Sequence, residues 1–131
     1  MNISKFTQKS VQAVQDLEKV AYEYGNQEIE EEHLLYALLT QEDSLILKLI
    51  EKMEIQKEYF IDTVKKALDA RVKVSGGELR FGQYLNKALV SAEDEAKAMG
   101  DEYVSVEHLF LSMLKNPSPS MKKLFNEFGI T

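Results

Sequence analysis

The sequence predicts an all-α protein built from two tandem, pseudo-twofold copies of a four-helix unit, the second copy lacking its last helix. Three observations predict it. The chain repeats itself: a shift of about 75 places brings Phe6 onto Phe81, Gln8 onto Gln83, Ala13 onto Ala88, Glu18 onto Glu93, Ala21 onto Ala96 and Gly25 onto Gly100. The match continues ungapped through Glu32-His33-Leu34 on Glu107-His108-Leu109, Leu39 on Leu114, Lys48-Leu49 on Lys123-Leu124 and Ile55 on Ile130. Apolar residues recur at helical spacing between helix start and stop signals. No segment shows the strict apolar–polar alternation of a half-buried strand.

The first helix is predicted over 7–24, where Val14, Leu17, Ala21 and Tyr24 share a face and Gly25 stands at the C-cap. Its copy runs over 82–99 and stops at Gly100. A short second helix carries Leu34, Leu35, Leu38 and Leu39, matched by Leu109, Phe110, Met113 and Leu114. Ser105 is the N-cap of the latter, with Val104 and Leu109 at the spacing of a hydrophobic staple. A third helix bears Ile46, Leu49, Ile50 and Met53. Its counterpart, bearing Met121, Leu124, Phe125 and Phe128, opens at Ser118-Pro119, a cap followed by proline at the first helical position. A fourth helix over 57–70 buries Phe60, Val64 and Leu68. Repeat one thus covers about 1–71, a linker containing Gly76-Gly77 covers about 72–78, and repeat two covers about 79–131, all within one domain. Repeat two stops just after the equivalent of Ile55, so the natural chain is expected to continue past Thr131, and some apolar surface is expected where the fourth helix is missing.

Composition narrows the function. The chain has 131 residues, 44% hydrophobic and 29% charged, the balance of an ordinary globular domain. A net charge of −6 gives little attraction for phosphate backbones or anionic lipid, which argues against nucleic-acid and membrane partners. There is no cysteine, no signal-peptide hydrophobic region and no apolar run long enough to span a bilayer, so a cytoplasmic location is expected.

The motifs of common chemistries are missing. There is no phosphate-binding G-x-x-x-x-G-K-[ST] loop, no G-x-S-x-G and no H-E-x-x-H. His33 and His108, the two histidines, fall at the same place in the two copies, which favours a structural role near a helix start. The competing chemical reading is a metal site shared by both histidines with Glu32 and Glu107. No enzymatic activity, metal or cofactor is expected of this stretch.

Specific segments then resemble a known family. Phe6-Thr7-Gln8-Lys9-Ser10, Gly25-Asn26-Gln27-Glu28-Ile29 and Glu32-His33-Leu34-Leu35 look like the first Clp N-terminal repeat. The run from Gly100-Asp101-Glu102-Tyr103-Val104 to Ser105-Val106-Glu107-His108-Leu109 resembles the second. The resemblance implies the N-terminal domain of an AAA+ chaperone, bound to client proteins or adaptors and tethered to a hexameric ATPase ring. ATP and Mg would belong to AAA+ modules further along the chain. Among the branches, Glu30-Glu31-Glu32-His33-Leu34, where protease-partner unfoldases typically have Gly-Thr-Glu-His-Ile, looks more like the ClpB disaggregase. The alternative is an adaptor- or phosphoarginine-client-docking domain of a ClpC/ClpA-type unfoldase.

The resemblance also points to positions. Thr7, Asp101 and Glu107 match residues that handle aggregates in ClpB-like domains, and Glu32 with Glu107 resembles the phosphoarginine site of the protease-partner branch. Each has a plain structural reading beside it. Thr7 is placed to N-cap a helix, worth about 1 kcal/mol. Asp101 is a natural turn residue. Glu107 lies in a first helical turn, where a carboxylate complements the helix dipole by about 0.3–1 kcal/mol. Tyr84, Leu85 and Leu89 on the long helix of repeat two are candidates for an apolar surface, or for core. The expected partners are unfolded or aggregated proteins, an adaptor, and the ring of the same chain. The domain itself is expected to be monomeric and the full-length protein hexameric.

Overall fold

Most helix starts find a side chain, their own N-cap's or one from the other repeat, to replace backbone partners they lack, and those substitutions fix the path of the chain. The computed structural model describes residues 2–130. A 3-10 turn at Ile3–Lys5 leads to Thr7, whose Oγ1 accepts the Ser10 N–H at 3.2 Å and opens α1, Gln8–Gln15. After Asp16 the helix resumes as α2, Leu17–Glu23, so the single helix predicted over 7–24 is interrupted at Asp16. Its copy in repeat two, α6 at Gln83–Ala98, is unbroken. Each long helix ends on a Schellman motif. The Asn26 N–H donates to Ala21 O and the Gly25 N–H to Tyr22 O, with Gly25 at φ 69°; Asp101 and Gly100 repeat the pattern on Ala96 and Lys97.

The remaining helices follow in the predicted order. Repeat one adds α3 (Glu31–Leu39), α4 (Leu45–Lys52, capped by Ser44) and α5 (Lys57–Asp69). Repeat two adds α7 (Val106–Lys115, capped by Ser105) and α8 (Pro119–Glu127, capped by Ser118). No counterpart of α5 follows α8 among the described residues. The apolar residues this leaves on repeat two are nevertheless covered: Phe110, Met113, Met121, Leu124 and Phe125 are all buried, and the Phe110 and Phe125 rings meet edge to face at 6.2 Å. Exposed apolar side chains are scattered over both repeats, among them Leu45 at the start of α4, Met53 just past its end, and Val90 and Met99 on the α6 side of repeat two. The counterpart of Met53, Phe128, is sandwiched edge-on by Tyr59 and Phe60 of α5.

The two halves are joined by exchange. Two residues before α6, β2 (Arg80–Phe81), pair in parallel with β1 (Glu28–Ile29) of repeat one. In the mirrored position, Phe6 of repeat one forms a parallel bridge with Val104 of repeat two. The Gly82 N–H donates to Ile29 O at 2.8 Å and the Thr7 N–H to Val104 O at 3.0 Å, the same bond in both copies. These two-residue pairings, which the sequence did not display, lie within a fold that is helical as predicted. The core is one contiguous cluster that draws on every helix, with Phe60, Val64, Leu68, Leu85 and Leu89 essentially inaccessible. Leu85 and Leu89 therefore belong to the core and not to a surface groove.

Candidate functional site

Three of the sequence-predicted residues, Thr7, Asp101 and Glu107, lie close in the chain to the Phe6–Val104 bridge. Thr7 follows the bridge on one side and is half-buried by its capping bonds. On the other side, Asp101 and Glu107 lie three residues before and after Val104, and both are exposed. The exchange of segments between repeats thus brings Thr7 to the segment that runs from Asp101 into the first turn of α7, where Glu107 stands.

That loop is shaped by His108. Its Nδ1 accepts the Ser105 N–H at 2.8 Å, so the ring proton lies on Nε2 and is donated to Asp101 Oδ2 at 2.8 Å. Asp101 is therefore a structural partner and, with its side chain 48% exposed, also a surface carboxylate. The first copy makes the same bonds with one difference. His33 Nδ1 accepts the Glu30 N–H at 2.8 Å and its Nε2 donates to Asn26 Oδ1 at 2.9 Å. Asn26 then passes the chain on, its amide donating to Val72 O. Burial, with the nearby Arg71 guanidinium, lowers the His33 pKa to about 4. Both nitrogens of each ring are committed, so the shared metal site has no imidazole lone pair to draw on.

Glu32 and Glu107 occupy the same position in the two copies and live in different surroundings. Glu32 is buried: Arg71 Nη1 donates to its Oε2 at 3.1 Å and the Ser120 hydroxyl to the same oxygen at 2.9 Å, while Oε1 has no partner among the described residues. Arg71 reaches Glu28 as well, at 3.1 Å, and these residues line a cleft of about 600 Å³ at the junction of the repeats. Glu107 is exposed and joins none of the ion pairs formed among the described residues. The paired phosphoarginine site suggested by the resemblance therefore has one glutamate already engaged.

Sequence reasoning missed the role of the three consecutive glutamates, all of which are buried. Glu30 reaches across the seam and accepts the Leu85 N–H at 2.7 Å, capping α6 from the other repeat. Gly82, the N-cap of α6, has no side chain to do this, and a Cβ there would collide with the Glu30 carboxyl. Glu31 accepts the Ser118 N–H at 2.8 Å ahead of α8, and burial pushes its carboxyl up to about 7. The available signal was Gly82 standing where the first copy has Thr7: a helix start without its own cap requires one from elsewhere.

Similarity to known proteins follows these features. Residues 5–128 match the model of the Clp repeat (R) N-terminal domain. The chain is 38% identical over 137 residues to the chaperone protein ClpB of Nitratidesulfovibrio vulgaris, covering 100% of this chain and 16% of that protein. It therefore spans about a sixth of that relative's length. The fold matches the Hsp104 N-terminal domain of Candida albicans with TM-score 0.84 and 22% identity, over 97% of this chain and 83% of that one. It also matches a ClpV N-domain solved as a complex with a VipB peptide, with TM-score 0.74 and 19% identity, over 96% and 80% of the two chains. With its duplicated helices, exchanged segments and nearly end-to-end match, this chain belongs to the Clp repeat N-terminal domain family.

Proposed function

We propose that this domain is the client-capturing N-terminal module of a ClpB-like, ATP-driven disaggregase acting in the cytoplasm. It engages unfolded or aggregated polypeptide and hands it to an AAA+ ring formed by the rest of a longer, hexameric chain, where ATP and Mg do the work. The observation that carries this reading is the grouping of Thr7, Asp101 and Glu107 around the Phe6–Val104 bridge, with both acids exposed. Exposed carboxylates favour client segments bearing Lys or Arg, weakly and in a salt-sensitive way. Weak binding suits a module that must release its client, and six copies on a ring restore avidity. A peptide held by a ClpV N-domain of the same fold supports capture of polypeptide as the task. The adaptor- and phosphoarginine-docking alternative draws less support, because Glu32 is held by Arg71.

Backbone-amide NMR of the monomeric domain, titrated with a permanently unfolded polypeptide, tests the proposal. Shifts are expected at Thr7, Asp101, Glu107 and the seam between repeats, and they weaken as salt is added. An unchanged spectrum at near-millimolar polypeptide would move the function to adaptor docking.

A further inference from the structure

The bonds across the seam join residues before 75 to residues after 79, as Thr7 to Val104, Gly82 to Ile29 and Leu85 to Glu30 show. The connection between the halves contributes nothing to the seam. Beyond Val74, whose N–H donates to Gly25 O at 2.9 Å, the chain makes no further backbone hydrogen bond until Arg80 among the described residues. Residues 75–79 are all exposed. They turn on two consecutive glycines in the left-handed region, Gly76 at φ 80° and Gly77 at φ 85°.

An apolar strip runs along the same connection. Val72 is 80% exposed, and Val74 and Leu79 also face solvent. Val72 and Val74 fall on one side of an extended segment, since alternate residues share a face. Lys73 between them is tied back, its Nζ donating to Tyr24 O at 2.8 Å, and the Asn26 amide donates to Val72 O at 3.1 Å. The strip is therefore held in place while the described residues leave it open.

We propose that its partner is a second copy of this chain, joined by exchange of repeats: repeat two of one copy closes on repeat one of the other, and the reverse. Each half keeps the seam partners it has in the monomer, because they are the same whichever copy supplies them. Exchange then costs association entropy and little else. Residues 75–79 are the hinge. Straightened, the span from Val74 to Arg80 reaches up to about 20 Å, enough to pass between two domains in contact. The two hinges run side by side in such a pair. They bring Val72, Val74 and Leu79 of both copies together, a burial with no counterpart in the monomer. The halves share one core, so exchange happens as the chain folds and not between folded monomers, and the isolated domain stays mainly monomeric. The inference is independent of client capture. On a ring as proposed above, neighbouring domains would stand at about millimolar effective concentration, and exchange would tie them in pairs.

The chain has no cysteine, which allows the exchange to be trapped cleanly. Glu28 and Arg80 are partners in the β1–β2 pairing. Glu28→Cys and Arg80→Cys are placed in separate chains, which are unfolded together, refolded at about millimolar concentration and oxidised in a glutathione buffer. The two thiols meet only where repeat one of one copy holds repeat two of the other. A covalently linked pair with native circular dichroism is expected, and it should be absent when the two chains are folded separately and then mixed. Equal cross-linking by both routes, or none after refolding together, would overturn the inference. The hinge gives a second test in Gly76→Ala with Gly77→Ala. Both methyl groups strain the closed turn, and a Cβ at 77 would lie 2.8 Å from the Gln27 side-chain nitrogen. An extended hinge accepts both. The dimerisation constant from sedimentation is expected to rise about a thousandfold, since the strain is relieved at both positions in both chains. Amide shifts between monomer and dimer should be confined to 72–80 and the residues they touch. A dimer whose shifts lie elsewhere is an ordinary surface association and sinks the proposal, as does a folded double variant that stays monomeric at millimolar concentration.

Discussion

Burial divides the two oxygens of Glu31: Oε1 accepts the Ser118 N–H, and Oε2 has no partner among the described residues. A carboxylate so placed is costly, which is why its pKa rises from 4.5 to about 7. Glu30 is raised for the same first reason, burial, while His33 is lowered from 6.5 to about 4. The acid and the imidazole act in opposite directions on stability. For Glu31 the folded state binds its proton more tightly than the unfolded chain does, so its contribution is full below pH 4.5 and is lost as pH rises through 7. For His33 the folded state resists protonation, so its contribution is full above pH 6.5 and is lost as pH falls through 4. Between about 4.5 and 6.5 the two largely cancel. Glu31→Gln removes one of them. The stability of the parent relative to this variant is expected to fall as pH rises from 4.5 to 7, by up to about 3 kcal/mol. Urea unfolding of both proteins across that range measures the difference, and parallel pH profiles would refute the assignment.

The helices were legible because their ends carry chemistry that sequence displays: Thr7, Ser44, Ser105 and Ser118 all accept the N–H three residues on, as their residue types predict. The paired strands were not legible, since two residues have no period to detect and their partners lie about fifty residues away. Nor was the burial of Glu30, Glu31 and Glu32, because three glutamates at a helix start read equally well as solvated charges on the dipole. Of the candidate site, the residue types were visible and their division was not: nothing local distinguishes Glu32, covered by a distant arginine, from Glu107, left open. Duplication also exposes an element that is built less well in one copy. Helix α8 ends with Gly129 in the left-handed region, φ 70°, whereas α4 ends with Glu54 at φ 62° in the same Schellman pattern. A side chain there is strained, and glycine is the residue that fits. Glu54→Gly is expected to stabilise the protein by about 0.5–1 kcal/mol, despite the flexibility glycine adds to the unfolded chain. Thermal unfolding reads this as a rise in Tm; a fall would mean that the backbone strain is negligible.

Across the whole molecule, duplication produced one folding unit and not two. Each repeat begins on a segment that hydrogen-bonds to the other, Thr7 to Val104 and Gly82 to Ile29, so neither half contains all the partners of its own backbone. Three acidic side chains of repeat one, Glu30, Glu31 and Glu32, accept hydrogen bonds from Leu85, Ser118 and Ser120 of repeat two. Phe60 of α5 packs its ring 4.9 Å from Phe128 of α8. Separating the halves would remove the donors that Glu30 and Glu31 draw from repeat two, leave Glu32 to Arg71, and open a single core, at a cost of several kcal/mol against a total stability of about 5–15. The expected behaviour is therefore two-state. Hydrogen exchange of the most protected amides in α3 and in α7 should report one common free energy of opening, and a fragment comprising residues 1–71 should remain unfolded in isolation. Distinct opening energies, or a folded fragment, would mean that the seam is a docking interface between two autonomous repeats. In that case the two repeats would move relative to one another, each on its own core.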